Sequence, residues 1–543
     1  MEIKTVDSIM LSQMFLAGAK TLEAKKELIN ELNVFPVPDG DTGTNMTMTI
    51  MSAAREVAAL ENPDMKTVSK AISSGSLRGA RGNSGVILSQ LFRGFSKVVK
   101  NYDELTVDVV TESFQKAVET AYKAVMKPKE GTILTVAKGV ADRALEVCEE
   151  TDDFVVFVQE ILKAAEDTLA KTPDMLPVLK QAGVVDSGGQ GLVEVLRGGY
   201  LAMIGEITDF SIGGETEKKA EPEEEYDYSF SMKIGRLDAS FDTMRNDFNA
   251  YLERKGFGIK QNATPDMLSI ECQTNEPGKI ITKAIMMGYI DDLKVEYNNK
   301  PELETASAST PTAVSAVTDM PAEKKAMGFV AVSIGEGINN LFTELGADQI
   351  IAGGQTMNPC TDDFLAAIDK VNADTVFLLP NNKNVILAAN QAVDLCKDKR
   401  IIVIPSKTIP QGITALINFI PDETPEENFA RMEEEIKNVK TGEVTYSIRD
   451  TLIDDKEIHQ GDYMGIGDKG ILAVSKDMTE AVLDMLSQIV DEDSALISLY
   501  YGADVTAEDA EALAAKVREK FTSLDIELAE GGQPIYYYVL SVE

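Results

Sequence analysis

The 543-residue chain contains a single histidine, His459, and only four cysteines, Cys148, Cys272, Cys360 and Cys396. His459 lies in a polar, turn-rich stretch, so chemistry that needs an imidazole nucleophile or relay has almost nothing to work with. Carboxylates and metal ions are the resource that remains. The cysteines are scattered without CxxC spacing, which fits buried thiols in a reduced cytoplasm. Positive charge is also scarce: 52 basic residues face 89 acidic ones, a formal net charge of −37. That balance argues against nucleic acid or an anionic membrane as partner and accommodates a basic protein more easily. No apolar run approaches the length of a membrane span, and the opening Met-Glu-Ile-Lys does not read as a signal peptide. No stable membrane insertion is expected.

What the chain does have is length for three or four domains and one unusual turn. Residues 33–46 read NVFPVPDGDTGTNM, between two helical patterns. Alternate residues of an extended segment point the same way, so Asp39 and Asp41 can converge on one hard cation while Gly40 admits a close backbone approach. Mg²⁺ takes oxygen ligands of this kind together with substrate phosphates. Gly43, Thr44 and Asn45 follow at the start of a helix, where free N–H groups and hydroxyls suit a phosphate. Taken alone, the same residues read more readily as an acidic, Pro-rich surface turn with an Asp/Thr helix cap.

The first 205 residues otherwise read as helices joined by glycine-rich turns, beginning with an amphipathic helix across 5–32. Three further turns carry chemistry. In GARGNSGVILSQ, Gly82 and Gly85 frame Asn83 and Ser84 before a helix, either a phosphate cradle or simply a close helix crossing. In MKPKEGTILTV, Thr132 opens a helix, and Ile133 and Leu134 can line an adenine pocket or form ordinary core. In AGVVDSGGQGL, Asp186, Ser187 and Gly188 stand at another helix start, where a carboxylate often does no more than cap.

Together these four blocks resemble the ATP-binding L-subunit domain of dihydroxyacetone kinases, and the whole chain resembles the ATP-binding subunit of bacterial fatty acid kinases. The resemblance implies an antiparallel helical barrel holding ATP and two Mg²⁺ ions at one end. Asp39, Asp41 and, less directly, Asn33 would bind metal. Thr42, Gly43, Thr44, Asn45, Asn83, Ser84, Gly85, Asp186, Ser187 and Gly188 would contact phosphates or close the site, with Thr132 and Ile133 near the base. It also implies a homodimer and a separate DegV-like protein that carries the fatty acid.

The remaining chain divides by composition. A charged linker at 207–226 follows the helical domain (1–206), and a small α/β unit spans 227–299. Related proteins commonly carry a Cys and a His-x-His set in that unit. Here Glu271 and Gln273 occupy the histidine positions around Cys272, so no zinc is expected. A Ser/Thr/Ala/Pro-rich linker covers 300–325. Residues 326–543 alternate short apolar runs with helical patterns, the sign of a parallel sheet covered on both faces, followed by an α+β end piece. Ligands gather at the carboxyl ends of such strands. Those ends carry Gln355, Asn358, Asn381, Asn382, Lys383, Lys407 and Gln411, a polar edge suited to a ligand or a partner.

The expected function is a Mg·ATP-dependent phosphotransferase, with a fatty acid as acceptor by resemblance. The alternatives are a kinase for a small hydroxyketone such as dihydroxyacetone, or a nucleotide-dependent scaffold without catalysis.

Overall fold

The computed structural model describes residues 2–33, 40–125, 127–212, 324–354, 357–453, 456–468 and 470–543, and within the intervening stretch 228–236, 248, 252, 257–263, 267–274, 280–281, 283–284 and 288–297. Residues 1–212 and 320–543 form one compact unit, and residues 213–319 form a second. Asp39 lies outside the described residues, as do Gln355 and most of the linker stretches, 213–226 and 300–323. None of the described helices is long and apolar enough to cross a membrane.

The N-terminal part of the first unit is built of helices α1 (Ser8–Ala24), α2 (Lys26–Glu31), α3 (Thr42–Ala58), α4 (Met65–Arg78), α5 (Gly82–Val99), α6 (Val107–Ala124), α7 (Ile133–Val147), α8 (Phe154–Ala170), α9 (Thr172–Met175), α10 (Pro177–Ala182) and α11 (Ser187–Met203). Their apolar faces close on a shared core containing Phe15, Met46, Leu88, Val136 and Phe157. An apolar cavity of 170 Å³ lies among Phe15, Phe92, Phe114 and Phe154. That is below the size of sites that enclose a whole small ligand, roughly 300–1,000 Å³. The single helix expected across 5–32 is broken at Lys25 (φ −105°), whose N–H turns back to the Thr21 and Leu22 carbonyls. The break lets α2 lie against the start of α3. There Asn30 accepts from the Thr44 N–H at 3.1 Å and donates to its hydroxyl at 3.1 Å.

The second unit contains strands β1 (Tyr228–Arg236), β2 (Phe257–Ala263), β3 (Met267–Thr274) and β4 (Gly288–Tyr297), paired antiparallel in the order β2-β3-β1-β4. Cys272 is buried in its core beside Met232, Ile234 and Ile270, and burial pushes its thiol pKa up. The expected helices of this unit fall mostly outside the described residues.

The C-terminal part of the first unit opens with β5 (Lys325–Ser333), α12 (Glu336–Glu344), β6 (Gln349–Ala352), α13 (Thr361–Lys370), β7 (Ala373–Leu379), α14 (Ile386–Leu395), β8 (Arg400–Val403), α15 (Ile409–Ile417) and α16 (Pro425–Glu435). The four strands are parallel, in the order β6-β5-β7-β8. All four fall on the apolar runs that the sequence marks as strands. Alternation sends Phe329, Ala331, Phe377 and Leu379 to one face and Val330, Val332, Val376 and Leu378 to the other. The second face is covered by α13, α14 and, from the helical domain, Ala80 and Val86.

The end piece is more ordered than its sequence suggests. Strands β9 (Lys440–Tyr446), β12 (Tyr463–Gly467), β13 (Gly470–Ser475), β14 (Leu496–Tyr501), β15 (Asp525–Glu530) and β16 (Tyr538–Val542) make one sheet, β13-β12-β9-β16-β14-β15. Only the β14–β15 pair is parallel. A hairpin of β10 (Thr451–Ile453) and β11 (Lys456–Ile458) projects between β9 and β12, and helices α17 (Met478–Ile489) and α18 (Ala507–Lys520) pack on the sheet.

Helical and α/β parts meet through buried polar groups as well as apolar ones. Gln391 on α14 donates to the Leu77 carbonyl at 2.5 Å and accepts from Gln90 on α5 at 2.9 Å. Arg81 pairs its backbone with Cys360, and Arg81 and Asp363 approach to 3.5 Å.

Candidate functional site

Asp41 is the residue from which α3 starts, yet its side chain does not cap that helix. It instead accepts a hydrogen bond at 2.5 Å from the Asn358 side chain, contributed by the α/β part of the chain. The Asn358 carbonyl accepts from Arg81 at 2.8 Å. At the other end of the same turn, Arg449 donates to the Asn33 carbonyl at 2.7 Å and to that of Glu31 at 3.3 Å. The acidic turn is thus held at both ends by side chains more than 300 residues away.

Behind these contacts is a polar cavity of 390 Å³. One wall belongs to the helical domain: Asn33, Asp41, Thr42, Asn45, Asn83 and Ser84. The facing wall is the carboxyl edge of the parallel sheet, with Asn381, Asn382, Lys383, Asn384, Lys407 and Thr408. Asn83 bridges the two, donating to Asn384 at 3.1 Å. The polar edge that the sequence places at the strand ends therefore looks onto the helical domain of its own chain.

That edge is fixed by its turns. Asn381 adopts φ +53°, a conformation asparagine tolerates better than most residues. Its side chain donates to the Val332 carbonyl at 2.9 Å and accepts from Ser406 at 2.7 Å, so the turns after β7 and β8 are locked together. Gln411 spends its side-chain oxygen on the Lys407 N–H at 2.8 Å.

The other expected site residues divide into two groups. Gly43 and Gly85 serve close packing: a Cβ on Gly43 would lie 2.2 Å from the Lys26 carbonyl oxygen, and one on Gly85 2.2 Å from the Thr49 hydroxyl. Thr44 has its N–H and hydroxyl engaged by Asn30, a residue the sequence alone does not single out. Its signal would be a helix break placing an Asn opposite the next helix start.

Thr132, Ile133, Asp186, Ser187 and Gly188 gather away from the walls of the polar cavity. Thr132 precedes α7 and bonds the Lys129 carbonyl at 2.9 Å. Asp186 caps α11 by accepting from the Gly189 N–H at 2.6 Å. Burial of its carboxyl raises its pKa to about 6, against the opposing bonds from the Gly189 and Ile133 N–H groups. A Cβ on Gly188 would lie 3.3 Å from that of Ile133. His459 is largely exposed, its N–H bonded to Asp462 at 2.9 Å.

Among the described residues, the donors at the acidic turn are oxygens or neutral amides: the Asp41 carboxylate, the Thr42 hydroxyl and the Asn33 and Asn45 amides. Such a hard set fits Mg²⁺ that keeps some waters and binds phosphate oxygens, and it does not suit a thiophilic metal. Among the described residues, no group of three or more His, Cys, Asp or Glu could hold a metal ion unaided.

This combination defines a class: a helical DAK2 domain, matched over residues 36–200, fused to a carboxyl-terminal α/β module. That module matches the FakA-like C-terminal family of fatty acid kinases over residues 328–543. Protein YloV of Bacillus subtilis (strain 168) is 42% identical over 561 residues, covering 100% of both chains. An uncharacterized protein of Staphylococcus aureus (strain USA300) is 37% identical over 556 residues, again covering 100% of both. The chain belongs to this FakA-like family of fatty acid kinase proteins. Two solved structures are remotely similar. The dihydroxyacetone kinase of C. freundii, determined with AMP-PNP and Mg²⁺, has 18% identity and a TM-score of 0.29 over 37% of this chain and 35% of its own. The Streptococcus pneumoniae fatty acid kinase B3 protein, loaded with linoleic acid, has 13% identity and a TM-score of 0.29 over 40% of this chain and 99% of its own. At those scores neither bears on the geometry above.

Proposed function

We propose that the chain is the ATP-binding catalytic component of a fatty acid kinase, passing the γ-phosphoryl group of Mg·ATP to the carboxylate of a fatty acid held by a separate DegV-like carrier. The observation that carries this reading, beside the family itself, is the convergence of Asp41, Thr42, Asn45, Asn83 and Ser84 on one polar cavity. A pair of Mg²⁺ ions is assigned to Asp41 and Asp39 with Asn33 beside them, where bound metal would neutralise charge on the transferring phosphoryl group. Thr42, Asn45, Asn83 and Ser84 orient phosphate oxygens. Thr132 and Ile133 belong to the base side and Asp186 to Gly188 to its closing turn.

The acceptor carboxylate is ionised at neutral pH and needs no general base, in keeping with a cavity wall that contains no histidine among its described residues. One carboxylate oxygen forms a bond to the γ-phosphorus while the bond to the β–γ bridging oxygen breaks. ADP leaves with that electron pair, and an acyl phosphate results for phospholipid synthesis. The apolar cavity of 170 Å³ in the helical domain is small for a whole ligand, which supports delivery of the acyl chain by a carrier. A homodimer completes the proposed assembly.

The test is transfer of labelled γ-phosphate from Mg·ATP to oleate with and without a DegV-like carrier from the same cell. Label in acyl phosphate only with the carrier supports the reading. Carrier-independent phosphorylation of dihydroxyacetone, with none of oleate, would replace it with the small-molecule kinase.

A further inference from the structure

A nucleoside triphosphate brings several negative charges into a protein that already carries a formal net charge of −37. Among its described residues, the helical wall of the polar cavity answers with one carboxylate, Asp41, and neutral side chains. The arginine nearest in sequence to that wall, Arg81, is turned onto the Asn358 carbonyl at 2.8 Å and toward Asp363 at 3.5 Å. Among the described residues lining the cavity, the cations are Lys383 and Lys407, and both come from the α/β wall.

Their placement follows from the fold. Lys383 follows the Asn381 turn at the carboxyl end of β7, and Lys407 follows β8. The Asn381–Ser406 bonds, at 2.7 and 3.1 Å, tie these two turns together. Thr408 then caps α15, accepting from the Gln411 N–H at 3.4 Å, and Thr408 and Ile409 also line the cavity. The start of a nine-residue helix therefore adds its positive end to the same wall as the two ammonium groups. Glu443 and Asp468 line the cavity too. With Asp41 they outnumber the lysines, which favours an anion that arrives with its own divalent cation over a bare one.

We propose that the carboxyl edge of the parallel sheet is the second half of the phosphate site, with Lys383 and Lys407 holding phosphate oxygens of the metal–nucleoside triphosphate whose other side rests on the helical domain. This deepens the function proposed above and rests on it. It makes the α/β module part of the nucleotide site itself, so that nucleotide binding is a property of the docked pair.

The test is calorimetric titration of the full chain with Mg·AMP-PNP, comparing wild type with Lys383→Met, Lys407→Met and the double variant, at low and high salt. Loss of one charge-assisted contact is expected to weaken binding about tenfold, and of both about a hundredfold. The salt dependence of affinity should fall in step, and Lys→Arg at either position should restore most of the affinity. Both lysines are exposed, so unchanged thermal unfolding will certify the fold of the variants. A double variant that binds Mg·AMP-PNP like wild type at both salt concentrations overturns the inference and leaves the proposed function standing. A wild-type chain that binds no Mg·AMP-PNP overturns both.

Discussion

The two walls of the polar cavity differ in how their sequences announce them. The helical wall is written in a compact motif, with Asp41, Thr42 and Asn45 within one turn and its helix, so residue types and spacing together name a chemistry. The α/β wall is assembled from turns after separate strands, around Gly354, Lys383 and Lys407, whose common property is standing at the carboxyl edge of one sheet. A motif carries its meaning locally. An edge acquires meaning from what docks against it, and here that is the helical domain of the same chain.

The largest effect that separates the walls should come from Asp41→Ala. Removing the proposed metal ligand is expected to lower phosphoryl transfer by about 10³-fold or more, several kcal/mol of transition-state stabilisation. The Asp41 side chain does not cap its own helix, but it accepts from the buried Asn358 amide, so a stability loss of about 1–3 kcal/mol with the fold kept is expected alongside. A similar loss of activity with a collapsed fold would reduce Asp41 to a structural residue.

Gly43→Ala should show the reverse pattern, stability lost first. Its Cβ would meet the Lys26 carbonyl oxygen at 2.2 Å, and backbone cannot swing aside as a side-chain tip can. A destabilisation of about 1–3 kcal/mol is expected from such overpacking, read in the denaturant midpoint. An unchanged midpoint would mean that α2 and α3 are free to part.

Gln391→Ala probes the docking itself. It strands the buried Gln90 amide and the Leu77 carbonyl, at about 1–3 kcal/mol for a buried group left unpaired. Faster hydrogen exchange in α5 and at the end of α4, with the far helices unaffected, is the expected readout. Uniformly unchanged exchange would show that the apolar contacts of Ala80 and Val86 alone hold the two parts together.

The smallest effect concerns Asp186. Its folded pKa of about 6 lies above the ordinary value of 3.8, so the folded state binds the proton more tightly than the unfolded chain. The contribution to stability is then greatest below about pH 4 and declines as pH rises through 6. In the ligand-free protein, Asp186→Asn keeps an acceptor for the Gly189 N–H and removes the charge. It should be more stable than wild type at pH 8 and nearly equal to it at pH 4, as compared by melting temperature. A gain at both pH values would point to the cap rather than to charge.

The parallel sheet is legible in the sequence because β5, β6, β7 and β8 are short apolar runs ended by glycine, proline or polar residues, and burial on both faces leaves no other reading. The helical character of the first 205 residues is legible from periodicity. The break at Lys25 is not, since the apolar spacing continues across it and only the packing of α2 against Gly43 requires the turn. Nor is β15: DIELAE is too acidic to read as a strand, and its ladder comes from a parallel pairing with β14. The contacts of Asn30, Asn358, Gln391 and Arg449 depend on tertiary approach, which spacing along the chain does not encode.

The most direct test of a site shared by both walls is hydrogen exchange on the full chain with and without Mg·AMP-PNP. Protection is expected at the start of α3 and of α5 and, to a similar degree, in the turns carrying Lys383 and Lys407. Protection confined to the helical wall would contradict the shared site and return the polar edge of the sheet to a role outside nucleotide binding.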